Sequence, residues 1–145
     1  MAGLNDVTGQ QSIDGFCGTC HDTPNAGNHS VQLAVDIGVS GAGVNKPPVL
    51  DTADLPVFEV RCTAGPLAGN TFTVTDIGRA MVTGECADIG KTKGPILRGL
   101  TARSPYFHNG SAPTIEALVE FYDQRFNIGL TEQQKTDLGA FLESL

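Results

Sequence analysis

The chain has 145 residues, a length that predicts one domain with its own core. Its formal net charge of -7 argues against nucleic acid as a partner, because proteins bind nucleic acid through clustered Lys and Arg side chains. The sequence contains no run of about 18 apolar residues, so no membrane span is expected. It also shows no basic and apolar leader at Met1. We therefore expect either a cytosolic protein or a piece cut from a larger, exported one.

The first half of the chain predicts little regular structure. A short helix is predicted over residues 4–16, where apolar residues recur at roughly helical spacing. It leads into the stretch FCGTCH at residues 16–21. Residues 22–55 are rich in Gly, Asn, Ser and Pro, which predicts a long loop. A long loop in a small domain usually wraps around a ligand or another segment.

The middle of the chain predicts a β-hairpin. Residues 55–62 and 71–76 alternate β-forming and polar side chains and flank a Gly-rich stretch, as two paired strands with a long loop would. Asp76 is expected to cap a short helix that stops at Gly84, the residue type preferred just past a helix end. Residues 91–113 are again expected to be irregular.

Two amphipathic helices are predicted at the end of the chain. Ser111 and Pro113 are typical helix-start residues, and the apolar face that follows consists of Ile115, Leu118, Val119 and Tyr122. Thr131 and Gln134 have the spacing of a capping box. The second helix is expected to bury Leu138, Phe141, Leu142 and Leu145.

The cysteine pair of FCGTCH suits three kinds of site. A structural zinc site needs four ligands, usually as two close pairs, and the remaining Cys62 and Cys86 are far apart in sequence. A redox dithiol is typical of a strand-to-helix turn in a βαβ unit, and no such pattern surrounds Cys17. Both interpretations are therefore disfavoured.

The third kind of site, a covalent haem anchor, agrees with the whole motif. Cys17 and Cys20 have the spacing that lets each thiol add to one haem vinyl group, and His21 then follows as the proximal iron ligand. A leading helix, a wrapping loop and a closing amphipathic helix are the order of elements in a c-type cytochrome. The motif thus predicts one covalently attached haem c.

Haem attachment also bears on the compartment and on the other two cysteines. Haem is joined to thiols outside the cytosol, where disulfides also persist, so a periplasmic or otherwise exported protein is expected. A disulfide between Cys62 and Cys86 would then tie the hairpin to the loop after the short helix. Two buried thiols remain the alternative.

The segment LRGLTARSPYFHNGSAPTIEALV at residues 97–119 resembles the C-terminal haem domain of the bacterial dihaem cytochrome c peroxidase and MauG family. Its PYFHNG is similar to the family's Pro-Tyr-Phe-His-Asp-Gly, and CHDTPNAG resembles the segment after the second haem motif. The stretch at residues 76–95, DIGRAMVTGECADIGKTKGP, resembles the part of the family sequence that precedes its Leu-Arg segment. The resemblance implies a mainly α, cytochrome c-like fold with a β-hairpin insertion and long loops, formed by residues 1–145 as a single domain.

The resemblance also implies a role. In the family, the N-terminal haem meets peroxide and the C-terminal haem is six-coordinate and relays electrons. This chain has one haem motif and matches the second domain, so peroxidase activity is expected of a larger parent protein and not of this chain alone. Its expected partner is a redox protein or a second haem domain, and its oligomeric state is left open.

The family's sixth iron ligand falls at Tyr122 by position after His108, and Tyr122 also lies on the predicted apolar face. His29, Met81 and an open iron site remain alternatives. Arg98 and Arg103 stand beside the PYFHNG turn, where guanidinium groups can pair with haem propionates. His108 is expected to lie near the haem and to bond a propionate without binding iron. A backbone carbonyl near Pro24 is expected to orient His21.

Three other functions are weighed against electron transfer. An open or displaceable sixth position would suit a peroxide-reducing enzyme. The same open position would suit a sensor that binds a gas. A haem-free domain stiffened by zinc or by disulfides is the third alternative.

Overall fold

The computed structural model describes Cys17, Cys20, His21, residues 32–47 and residues 49–145. The predicted helix over residues 4–16, the candidate ligand His29 and the predicted carbonyl near Pro24 lie outside these described residues. The strands and helices in chain order are β1 (Ala34–Val35), β2 (Phe58–Arg61), β3 (Thr71–Val74), α1 (Ala80–Thr83), β4 (Thr92–Lys93), α2 (Ile115–Phe126) and α3 (Glu132–Glu143). Short 3₁₀ helices lie at Gly43–Asn45, Cys86–Asp88 and Leu100–Ala102.

The predicted β-hairpin forms. β2 and β3 pair antiparallel, with Phe58 opposite Val74 and Arg61 opposite Thr71. The N–H of Cys62 donates to the carbonyl of Asn70 at 2.9 Å and continues the pairing by one residue. Both strands are shorter than predicted, because the ladder is confined to residues 58–61 and 71–74.

A disulfide ties this hairpin to the segment after α1. Cys62 and Cys86 are joined with an S–S distance of 2.06 Å and a Cα–Cα distance of 6.0 Å. The pairing expected from the compartment argument is therefore present. It also removes the zinc alternative, since that site needed these two sulfurs as ligands.

A second, smaller sheet joins two stretches that were expected to be irregular. β1 and β4 pair antiparallel, with Ala34 opposite Lys93 and Val35 opposite Thr92. The expectation of no regular element in residues 22–55 and 91–113 is wrong at these positions. Ladders of two residues leave no periodicity in a sequence, because their stability comes from packing and not from local preference.

The short helix after the hairpin starts later than predicted. α1 begins at Ala80, and its N-cap position is Arg79, which makes no side-chain capping bond. Asp76 is not the cap: its Oδ1 accepts the N–H of Gly78 at 2.8 Å, so it closes a turn before the helix. The predicted end is confirmed, since Gly84 has a left-handed φ of 72°.

The two closing helices form as predicted, with one difference at the first start. The N-cap of α2 is Thr114, whose side chain accepts the N–H of Ala117 at 3.2 Å, and neither Ser111 nor Pro113 has that role. The capping box of Thr131 and Gln134 is confirmed at the start of α3.

A partly buried ion cluster joins α2 to α3. Asp123 Oδ1 accepts the backbone N–H groups of Gly129 at 2.8 Å and Leu130 at 2.9 Å. Lys135 Nζ lies 3.1 Å from Asp123 Oδ2 and 2.6 Å from Glu120 Oε2. Burial works to raise the pKa of Asp123, but hydrogen bonds from Leu130, Lys135 and Gly129 outweigh it and hold the pKa below its usual value.

The core lies between α2, α3 and the loops that face them. Its buried apolar members in the described residues are Val39, Leu50, Leu100, Tyr106, Ala112, Ile115, Val119, Phe121, Leu130 and Leu142. Leu138 and Leu145 pack against this core, but Phe141 does not belong to it, because its side chain is 51% exposed. The expectation that Phe141 is buried is therefore wrong within the described part of the chain.

The described residues form helices and two small sheets, and the expected mainly α character is confirmed only in part. Irregular chain makes up much of residues 32–114. Among the described helices, none is long and apolar enough to cross a membrane.

Candidate functional site

The cysteine pair lies on helical backbone. Cys17 and Cys20 are both helical, and the N–H of His21 donates to the carbonyl of Cys17 at 2.8 Å. Residues three apart on a helix face the same side, so both sulfurs are presented together. Both cysteines are partly buried and keep their thiols, unlike the disulfide-bonded Cys62 and Cys86. The pair is thus available for two neighbouring covalent bonds.

His21 is oriented by a hydrogen bond to a distant part of the chain. Its Nδ1 lies 2.8 Å from the carbonyl oxygen of Pro95. A carbonyl only accepts, so Nδ1 carries the proton and Nε2 keeps its lone pair for a metal. In the described residues the orienting carbonyl comes from the segment after β4, and the expected carbonyl near Pro24 lies outside them.

The environment of His21 favours its neutral form. Burial lowers the pKa of the imidazole below its usual value, and the hydrogen bond to Pro95 opposes this shift only in part. Neutral imidazole is the form that binds metals. His21 is thus prepared as a ligand by both its tautomer and its charge.

The β1–β4 ladder brings this segment to His21. Residues 92 and 93 are held in the ladder, and Gly94 and Pro95 follow directly. A Cβ placed on Gly94 would lie 3.5 Å from His21 Cε1 and 3.7 Å from the Cys20 carbonyl oxygen. Gly94 therefore packs closely on the imidazole and leaves room for little more than a methyl group.

Tyr122 lies in an aromatic cluster close to the cysteine pair. Its ring centroid is 5.8 Å from that of Phe126, 5.6 Å from Phe121 and 6.1 Å from Phe107. Burial, followed by the charges of Cys17 and Cys20, raises the pKa of the Tyr122 phenol well above its usual value. The structure thus brings Tyr122 to the same region as the cysteines, and its role as sixth ligand stays a prediction.

The PYFHNG turn is held by hydrogen bonds on both sides. Tyr106 pairs with Ala112 through two backbone bonds, and its hydroxyl donates to the Leu100 carbonyl at 3.1 Å. Asn109 Nδ2 donates to the Val39 carbonyl at 3.0 Å and to Thr75 Oγ1 at 3.1 Å. The turn is therefore a fixed part of the site.

Phe107 and His108, at the centre of this turn, contact different groups. Phe107 has a φ of 64°, which a non-Gly residue rarely adopts, and its ring makes an edge contact of 5.0 Å with Phe121. His108 Nδ1 lies 2.7 Å from Asp76 Oδ2. The turn thus sends one side chain into the aromatic cluster and pairs the next with a carboxylate.

The two candidate arginines are exposed at the neighbouring loop. Arg103 uses its guanidinium to donate to the carbonyls of Ile96, Arg98 and Gly99, and so closes this loop on itself. Arg98 has an exposed side chain in the same loop. The propionate roles of both residues stay predictions.

Met81 is placed on the solvent side of α1. Its side chain is 72% exposed. A ligand to a buried iron must be shielded from water, so this position disfavours Met81 against Tyr122. In the described residues, no group of three or more His, Cys, Asp or Glu side chains gathers as a metal site.

Sequence reasoning missed Gly94, Pro95 and the partner of His108, which is Asp76. The Gly-Pro pair stood in the sequence as a loop signal. Nothing in the spacing linked it to His21, however, because the two are 74 positions apart.

The residues present fit a c-type haem. Cys17 and Cys20 supply two adjacent thiols, His21 supplies a neutral imidazole with its Nε2 available, and aromatic side chains lie beside them. These are the groups that hold a covalent haem.

Comparisons with known proteins agree with this chemistry. Residues 93–128 match the family model described as RoxA-like, cytochrome c-like. A cytochrome-c peroxidase of Denitromonas iodatirespirans is 33% identical over 140 residues, which is 90% of this chain and 36% of the relative. The cytochrome c551 peroxidase of Nitrosomonas europaea is 29% identical over 153 residues, which is 100% of this chain and 37% of the relative.

A third relative, the cytochrome c peroxidase of Escherichia coli, is 40% identical over 76 residues, or 51% of this chain and 16% of its own length. No solved structure matches the chain. The chain spans little more than a third of the first two peroxidases, so it corresponds to one part of such proteins. The chain is similar to a cytochrome c-like family model and to one part of the bacterial cytochrome c peroxidases.

Proposed function

We propose that this chain is an electron-transfer domain that carries one haem c, bonded through Cys17 and Cys20 and ligated by His21. The observation that carries the proposal is the hydrogen bond of 2.8 Å from His21 Nδ1 to the Pro95 carbonyl. It fixes the tautomer and direction of the imidazole, as the second shell of a metal ligand does. Bound haem supplies a one-electron couple whose potential depends on the axial ligands and on burial.

The chain's own residues have three roles in this proposal. The Gly94–Pro95 segment keeps the imidazole oriented while the charge on the metal changes. The ring of Phe107 and its aromatic neighbours keep water from the site, which lowers the cost of reorganisation on electron transfer. Arg98 and Arg103 are proposed to pair with the haem propionates, and His108 is proposed to lie near them with its Nδ1 held by Asp76.

Tyr122 is the proposed sixth ligand, and its chemistry raises a second candidate function. A phenol binds iron as a phenolate, and burial raises the pKa of Tyr122 well above its usual value. If Tyr122 is displaced from the metal, the sixth position is open. A displaceable ligand would give peroxide or a gas molecule access to the metal, as in an enzyme or a sensor.

The larger context is also part of the proposal. The relatives named above are peroxidases, and this chain covers only a part of their length. We infer a parent protein with peroxidase-like activity, or a stand-alone relay that exchanges electrons with a redox protein or a second haem domain. The disulfide of Cys62 and Cys86 supports an exported, periplasmic location.

The test of haem attachment is production of the chain in a periplasm that carries the haem-attachment system. The expected product is red, keeps its haem after denaturation, and shows reversible one-electron reduction. Replacing both Cys17 and Cys20 by Ala should give a colourless protein, with replacement of Met81 by Ala as the control that stays red. A colourless wild-type protein with two reactive thiols would overturn the proposal.

The test of the sixth ligand is Tyr122→Phe, which keeps the ring in its cluster and removes the hydroxyl. If Tyr122 binds the metal, the oxidised spectrum should change while the reduced protein gains affinity for carbon monoxide. An unchanged spectrum would exclude Tyr122. Ready binding of carbon monoxide or cyanide by the wild type would favour the enzyme or sensor function.

A further inference from the structure

The side chains of His108 and Asp76 form a pair that none of the roles above requires. His108 Nδ1 and Asp76 Oδ2 are 2.7 Å apart, with side-chain exposures of 67% and 9%. Asp76 is further fixed by the N–H of Gly78, which donates to its Oδ1 at 2.8 Å. A buried carboxylate thus meets one nitrogen of the imidazole, while the rest of the ring is open to water.

This pairing sets the tautomer of His108. The carboxylate accepts from Nδ1, so the neutral ring carries its proton there and Nε2 keeps a lone pair directed away from Asp76. A carboxylate in this position also stabilises the imidazolium that forms when Nε2 takes a proton. Histidine is the side chain whose charge changes most readily near neutral pH.

The backbone of His108 connects this pair to the proposed haem region. Phe107, the preceding residue, places its ring centroid 6.1 Å from that of Tyr122, whose phenol feels the charges of Cys17 and Cys20. Asn109, the following residue, ties the same turn to Val39 and Thr75. His108 therefore cannot move far from the site when the charge on the metal changes.

Other charges near the pair are already engaged. Arg79, the next charged residue after Asp76 in the chain, pairs with Asp88 at 3.2 Å. Arg103, which shares a loop with the turn, donates to three backbone carbonyls. In the described part of the chain, Asp76 is the charged group in contact with His108.

The geometry points to His108, held by Asp76, as a proton-exchange site that takes up a proton when the proposed haem is reduced. The step balances as one electron delivered to the metal by its redox partner and one proton delivered to His108 Nε2 by water. Reduction removes one positive charge from the site, and that makes a positive imidazolium nearby less costly. Reoxidation releases the proton to solvent.

This inference rests on the proposed function, and it predicts how the reduction potential depends on pH. With haem attached, the reduction potential of the wild type should fall as the pH rises from about 5 to about 9. A tenfold difference in proton affinity between the two redox states corresponds to about 59 mV for one electron, and we expect a shift of that order or smaller. Spectroelectrochemistry between about pH 5 and about pH 9 measures this shift in the reduction potential.

Three variants of the haem-loaded chain locate the effect. His108→Gln should make the potential independent of pH in this window. Asp76→Asn keeps an oxygen for Gly78 but loses the charge, so the pH dependence should move to lower pH. Asp88→Asn is the matched control, because it removes a paired carboxylate that does not touch His108, and it should behave as the wild type does.

The outcomes separate this inference from the proposed function. A colourless product, or one without reversible reduction, would remove both. A red, reversibly reduced wild type whose potential does not change with pH, or a His108→Gln protein that keeps the wild-type slope, would overturn the proton-exchange site alone. If His108→Gln does not fold, the ring of His108 can be titrated by NMR in oxidised and reduced wild type, and equal midpoints would likewise overturn it.

Discussion

The α2–α3 pair and the surroundings of His21 are held together in different ways. The helices are fixed by contacts between near neighbours in sequence, such as the capping box of Thr131 and the bonds from Asp123 to Gly129 and Leu130. His21 instead meets Pro95, which is 74 positions away. The helical part therefore supplies stability from local contacts. The site depends instead on the position of a segment that is distant in sequence from His21.

This difference predicts that substitutions in the two regions have different effects. Changes in the scaffold, meaning the α2–α3 pair and the disulfide-bonded hairpin, should lower the free energy of unfolding and leave the haem spectrum as it was. Changes beside His21 should alter the spectrum or the potential with little loss of stability. A variant that does both would show that the two regions are coupled.

Replacing both Cys62 and Cys86 by Ala should have the largest effect on stability. The bond closes a loop with a sequence separation of 24, and its loss should lower the free energy of unfolding by about 3 kcal/mol. Urea unfolding of the haem-loaded protein measures this, and its spectrum at low urea should match that of the wild type. A changed spectrum would contradict the separation of scaffold and site.

Asp123→Ala should be the next most severe scaffold change. It leaves the N–H groups of Gly129 and Leu130 without their acceptor and removes one of the carboxylates that contact the ammonium of Lys135, at a cost of about 2 kcal/mol or more. Glu132→Ala is the control, because Glu132 is 94% exposed and lies 3.5 Å from the same ammonium. The control should lower the free energy of unfolding by at most about 0.5 kcal/mol. Equal losses of stability in the two variants would show that burial of the carboxylate does not set its contribution.

The same carboxylate predicts how stability depends on pH. The pKa of Asp123 is lower in the folded protein than in the unfolded chain, so its contribution is complete above the unfolded value, about 4. It is lost as the pH falls toward the folded value. The stability gap between the wild type and Asp123→Asn should therefore narrow in acid, and a gap that is constant from pH 7 down to about pH 3 would exclude this linkage.

Substitutions at Gly94 test the site side of the comparison. A methyl group at Gly94 would lie 3.5 Å from His21 Cε1, an ordinary contact, so Gly94→Ala should change stability by less than about 1 kcal/mol. Gly94→Val places two more methyl groups beside the imidazole than Gly94→Ala does, and it should shift the reduction potential of the haem-loaded protein. Identical potentials in the two variants would show that the segment does not position His21.

The smallest effect is expected for Met81→Ala. Its side chain is 72% exposed on α1, away from the core, so stability, spectrum and potential should stay within error of the wild type. Loss of a spectral feature would instead restore Met81 as a ligand candidate.

The sequence predicted those parts of the molecule whose determinants are local. The hairpin, the two closing helices, the capping box and the helix end at Gly84 all follow from side-chain periodicity and turn chemistry. The haem-attachment role of Cys17, Cys20 and His21 also follows from local spacing, and it stays a prediction.

What the sequence did not predict depends on long-range contacts. The two-residue ladder of β1 and β4 has no periodicity of its own, and the Pro95 carbonyl carries no side-chain signal at all. Asp76 was taken for a helix cap because a capping carboxylate and one that pairs with a distant His look alike in sequence. Local pattern alone could not separate these two uses.

The remoteness of Pro95 has a consequence for the order of biosynthesis. Residues 17–21 leave the ribosome well before residue 95 does, so the attachment motif is complete while the carbonyl that will hold His21 does not yet exist. If haem is attached as proposed, attachment needs only the short motif, whereas orientation of the imidazole needs the Pro95 carbonyl. An exported chain truncated before residue 95 should then still be coloured but lack the carbonyl that orients His21.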